Sequence, residues 1–173
     1  MANADPSDVA WTEPWIKPAP GGRGRRQSER LMAYWEEKLQ ELGGAVTIAG
    51  LDLTATDSRD WSNRFLISVD PVIERSVLLL YGPEFARLLD LPEQPRMDRQ
   101  MTRQLPRRYA DSFLRACADA QKAMAPVRLE GEMERGDGRI EQYRAVFIPL
   151  GVKPNSLTCF AFGAFSSRVI ERG

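Results

Sequence analysis

Pro126-Val-Arg-Leu-Glu-Gly-Glu-Met-Glu-Arg135, then Gly136-Asp-Gly138, then Arg139-Ile-Glu-Gln-Tyr-Arg-Ala-Val-Phe-Ile-Pro-Leu150, is the stretch that decides the fold. In its first segment Val127, Leu129 and Met133 fall on one face, and Arg128, Glu130, Glu132 and Glu134 on the other. A period of two with one dry and one wet side predicts a half-buried strand. Asp137-Gly138 tolerates the positive φ of a tight hairpin turn. Leu157–Ser167 adds a third strand after the Gly151–Asn155 reversal, so the chain closes in a three-stranded antiparallel meander. The turn leaves the register open. A two-residue loop pairs Leu129 with Val146 and Val127 with Ile148, whereas a three-residue loop pairs Leu129 with Ala145 and Val127 with Phe147. One step exchanges the two faces of the strand.

Upstream, Arg64–Asp70 alternates Phe65, Ile67 and Val69 against polar neighbours. Ser76–Tyr81 is a continuous apolar run, the pattern of a strand covered on both faces. Gly82-Pro83 breaks it, and Pro83 suits the first turn of a short helix, Glu84–Leu91, with Phe85, Leu88 and Leu89 inward. Tyr109–Ala125 carries Phe113, Leu114, Cys117, Ala120 and Met124 on one helical face. Ser28 is a good N-cap for a leading helix whose stripe is Leu31, Trp35, Leu39 and Leu42, and Gly43-Gly44 stops it. A short segment, Ala45–Leu53, and a polar loop, Thr54–Asn63, follow. Residues 1–27, broken by Pro6, Pro14, Pro18, Pro20 and several glycines, read as a flexible tail. The expectation is therefore a single α+β domain over residues 28–173, with a leading helix at 28–42 and helices on one face of a five-stranded antiparallel sheet.

The 173-residue chain is 43% hydrophobic and 28% charged with no net charge, long enough for a real core and without a global pull toward nucleic acid or anionic membranes. It holds no apolar run near the roughly 20 residues of a membrane span and no signal-peptide pattern at its start, so a cytoplasmic location is expected. Its two cysteines, Cys117 and Cys159, sit in apolar surroundings as reduced thiols would. There is no histidine. Imidazole acid–base chemistry, Ser–His and Cys–His nucleophile pairs and His-ligated zinc or haem are thereby excluded. Carboxylate catalysis, for instance by Asp57 and Asp60, has no supporting spacing, and a non-catalytic protein is expected.

The order helix, two strands, helical middle, longer helix, three-strand meander resembles that of PAS domains. Tyr81-Gly-Pro-Glu-Phe85-Ala-Arg-Leu-Leu89 resembles their handover from second strand to helices. Tyr143–Leu150 is similar to their penultimate strand, and Ser28–Trp35 to the opening helix of stand-alone alphaproteobacterial members. The resemblance implies sheet order 2-1-5-4-3 and a sensory or regulatory role in bacterial signalling. It also implies a small, apolar ligand held between sheet and helices, or dimerisation through the leading helix and outer sheet face. Candidate cavity residues are Phe65, Ile67, Leu78, Leu80, Phe85, Leu88, Phe113, Cys117, Val127, Leu129 and Phe147, for which plain core packing is the competing reading. Candidate dimer or partner residues are Leu31, Trp35, Leu39 and Leu42; the second strand and the last two are apolar on both faces, so the outer face needs a cover, either the Leu31–Leu42 helix or a second subunit, and the resemblance makes a homodimer the expectation. The Asn-Cys-Arg-Phe-type run of flavin-bonding members is absent, Cys117 standing in Arg115-Ala-Cys-Ala-Asp119, so no cofactor is assigned. Finally Arg96, Arg99, Arg103 and Arg107, with Arg108 adjacent, recur at helical spacing. A solvated helix face is the plain reading of them, and a phosphate, nucleotide or nucleic-acid site the alternative.

Overall fold

The computed structural model describes residues 23–41, 60–151 and 159–171. Helix α1 spans Arg23–Glu41, α2 Pro83–Leu89, α3 Met101–Gln104 and α4 Arg107–Ala123; strands β1 to β5 are Arg64–Val69, Val77–Tyr81, Val127–Glu134, Arg139–Gly151 and Cys159–Glu171. The five strands form one antiparallel sheet in the order β2-β1-β5-β4-β3. That is the PAS-like α+β architecture.

The hairpin takes the longer loop. Val127 pairs with Phe147 and Leu129 with Ala145. The Arg135 amide donates to the Arg139 carbonyl at 2.8 Å, closing Gly136-Asp137-Gly138 as a three-residue turn with Gly138 at φ 80°. This register turns Ala145 and Phe147 toward α2–α4, and Val146, Ile148 and Leu150 to the other side. In β5 the same alternation places Cys159, Ala161 and Phe165 inside and Phe162 and Ala164 outside.

The sheet therefore has two apolar faces, each with its own cover. The inner face and helices α2–α4 bury Phe65, Phe85, Tyr109, Phe113, Phe147 and Phe165, whose rings meet at centroid distances such as 5.1 Å (Phe65–Phe147), 5.0 Å (Phe113–Phe147) and 5.1 Å (Tyr109–Phe165). Such offset and edge-on pairs add to plain burial. The outer face, with Leu66, Val146, Ile148, Leu150, Phe162 and Ala164, is covered by α1 through Leu31, Met32, Trp35 and Leu39, together with Trp61.

Three expectations are corrected. The leading helix begins at Arg23, taking in Arg23, Arg25 and Arg26, which the sequence reading left in the tail. One glycine, Gly24, costs a helix only about 1 kcal/mol and does not stop it. Strand β2 is not covered on both faces: it is an edge strand, with Leu80 47% exposed. Between Leu66 and Ile67 the register shifts, so that Leu80 pairs with Leu66 and Leu78 with Ile67, leaving Leu79 as the extra residue of a bulge. The arginines from 96 to 107 share no helix, because Leu105 and Pro106 separate α3 from α4. The outer face is covered by the chain's own leading helix, one of the two covers that the sequence left open. Leu42, the Ala45–Leu53 segment, Asp57 and the tail up to residue 22 lie outside the described residues.

Candidate functional site

The sequence candidates divide into three places. Phe65, Ile67, Leu78, Phe85, Phe113, Cys117 and Phe147 are buried in the inner core, with Leu88, Val127 and Leu129 packed at its margin. Tyr109, Phe165, Met101 and Leu105 join them there, unanticipated because each sits where the sequence shows a boundary or an ambiguous face. Leu80 does not belong to this group, since the bulge turns it outward. Burial pushes the Cys117 thiol well above the usual range, and Cys159, also buried and free, moves the same way for the same reason. Neither is a poised nucleophile.

Leu31, Trp35 and Leu39 are turned onto the sheet of their own chain, so their apolar surface is already in use. Leu31 is 2% exposed, whereas Met32, Tyr34, Trp35 and Leu39 are only half-buried. The seat of α1 is thus shallower than that of α4, which buries Tyr109, Ala110, Phe113, Ala116, Cys117 and Ala120.

The third place is a concavity of about 300 Å³ beside the edge strand, lined by Tyr81, Leu91, Pro92, Arg96, Arg99, Arg103 and Gln104. Its walls are tied down. The Gln104 carboxamide accepts from the Leu78 amide at 2.8 Å and donates to the Leu78 and Arg96 carbonyls at 3.0 and 2.9 Å. The Tyr81 hydroxyl donates to the Pro92 carbonyl, and the Met101 amide to the Ser76 carbonyl at 2.8 Å. The Arg99 amide closes a turn on the Arg96 carbonyl at 3.0 Å. Three of the four striped arginines therefore converge, by a turn and a short helix rather than by a helical face. Arg107 lies apart at the start of α4, and Arg108 is committed to Glu141. Tyr81 and Gln104 were not singled out from the sequence; the recurrence of arginine was the signal that marked the region.

Glu141 makes a different kind of centre. It is 1% exposed and paired with Arg108 at 3.0 Å and Arg135 at 3.5 Å, with Arg108 also over the Tyr109 ring at 5.1 Å. Burial, then the adjacent Glu141 carboxylate, hold the Tyr109 hydroxyl far above the usual tyrosine range. This cluster clamps the start of α4 to the β3–β4 hairpin. Among the described residues no group of His, Cys, Asp and Glu is arranged to hold a metal ion.

No protein-family model matches the chain, and no curated protein matches it. Solved structures of similar shape include a fungal LOV domain photoreceptor (18% identity, 68% of this chain and 80% of that one, TM-score 0.39). A Rhodobacter sphaeroides LOV protein is similar at 17% identity, over 61% and 58% of the two chains, with TM-score 0.40. The PAS domain of an HTR-like protein from Haloarcula marismortui is similar at 14% identity over 84% and 99%, with TM-score 0.37. These likenesses are weak, and the architecture rests on the strand order itself.

Proposed function

We propose that the chain is a non-catalytic PAS-like sensory or regulatory module of bacterial signalling, acting in the cytoplasm. It binds a small ligand or a protein partner and answers by a change in how α1 sits on the sheet. The observation that carries this reading is the two-sided sheet. β4 and β5 present one face to an aromatic core and the other to a single helix held by half-buried side chains. A shift of either strand moves both layers at once, because side chains on one strand alternate between them. Among the described residues no helix is long and apolar enough to cross a membrane. The partner that the PAS resemblance implies is a second copy of the chain.

Intact native mass spectrometry of the purified protein tests the proposal. A mass excess lost on denaturation, or a dimer, is the expected result. A bare monomer contradicts it.

A further inference from the structure

We propose that the concavity between β2 and α3 is a binding site for a small phosphorylated organic molecule, held by Arg96, Arg99 and Arg103. The inference stands on the pocket alone and does not depend on how α1 behaves.

The charge argument comes first. All three guanidinium groups are exposed, and none has an ion-pair partner among the described residues, although Glu93 and Asp98 lie in the same segment. Like charges gathered around one hollow repel, and the fold gains nothing from placing them there unless something negative enters. Several arginines elsewhere are paired: Arg87 with Glu84, Arg108 and Arg135 with Glu141, and Arg139 with Asp137.

Chemistry narrows the anion. A guanidinium is a rigid fork that matches carboxylate and phosphate oxygens bidentately. A carboxylate offers two oxygens and one charge, too few for three forks. A phosphomonoester carries about −1.5 to −2 charges at pH 7 and three strong acceptor oxygens, one for each arginine. A volume of about 300 Å³ stands at the small end of ligand sites. The remaining wall, made of the Tyr81 ring, Leu91 and Pro92, suits a compact apolar or planar body rather than bare phosphate.

Preorganisation favours the site further. The segment bearing Arg96 and Arg99 is fixed at Pro92 by Tyr81 and at Arg96 by Gln104, so binding need order only side chains, not backbone. An extended polyanion fits less well, because the basic groups line a hollow and do not continue along a surface.

Isothermal titration of the full chain at low salt, with inorganic phosphate and with adenosine monophosphate as probes, tests the assignment. Saturable one-to-one binding of the monophosphate is expected, with free phosphate weaker. Arg99→Ala and Arg103→Ala should each weaken it by about tenfold or more, while Arg115→Ala, on the exposed side of α4, leaves it unchanged. Arg103→Lys keeps the charge but loses the fork, and should recover part of the loss. All three positions are exposed, so thermal melts should match the parent chain. The assignment is overturned if neither probe saturates by about 10 mM. Binding unmoved by Arg99→Ala and Arg103→Ala, or seen only with an oligonucleotide, overturns it equally.

Discussion

Two glycines separate the two reasons a position refuses a side chain. Gly138 stands at φ 80° with nothing within 4 Å of where a Cβ would be, so Gly138→Ala meets backbone strain alone. A cost of about 1 kcal/mol is expected. Gly163 has ordinary backbone, but a Cβ there would lie 2.1 Å from the Val146 carbonyl oxygen and 2.3 Å from the Phe65 ring. The obstacle is the neighbouring strand, which cannot move without opening the β4–β5 ladder. Gly163→Ala should cost about 3 kcal/mol or prevent folding, read as a shift of the urea midpoint at constant slope. Titration follows the same local logic. Tyr109 and Cys117 both hold their protons above the usual values of 10.0 and 9.0. Their neutral forms contribute full stability below those values, and the contribution is lost as pH rises, because the unfolded chain ionises first. The unfolding free energy read from urea titrations should therefore fall from about pH 9 upward, by up to about 1.4 kcal/mol per pH unit for each group. Tyr109→Phe should flatten the fall above pH 10 relative to the parent chain.

At the scale of elements, the sequence is legible where its pattern has a phase and silent where it has none. β3 alternates, so its inner residues Val127 and Leu129 could be named. β4 is apolar on both faces, and Asp137-Gly138 suits either loop; only the Arg135–Arg139 closure decides between them. The run Val77–Tyr81 likewise has no phase, and the bulge at Leu79 that sends Leu80 outward leaves no mark in it. The arginine spacing was real but its geometry was not helical: Leu105 and Pro106 end α3, and a turn at Arg96–Arg99 brings the groups together instead. The apolar outer face announced that it needed a cover. Pattern alone could not say whether a helix of the same chain or a second copy supplied it, since both present the same stripe. The structure assigns that cover to α1, with Leu31 as its deepest residue. Leu31→Ala should cost about 2–4 kcal/mol by cavity formation if α1 unfolds with the rest. A much smaller loss of global stability, with α1 alone becoming more open, would mark the helix as a separate unit.

For the whole molecule, the α+β architecture follows from the succession of elements and the strand order from the resemblance they carry, and the site from neither. A pocket assembled from the end of an edge strand, the segment after α2 and a four-residue helix has no contiguous signature to read. What the fold supplies is a rigid aromatic layer, a sheet shared by two cores, and a shallow helix on the far side. If α1 is the responsive part, it must open without the sheet. Native-state hydrogen exchange, residue by residue under conditions where opening is fast and reversible, measures this most directly. We predict that amides within α1 exchange through an opening several kcal/mol less costly than that of the paired amides of β4 and β5. Protection of α1 equal to that of β4 and β5 would contradict a regulatory helix and leave it as an ordinary wall of the core.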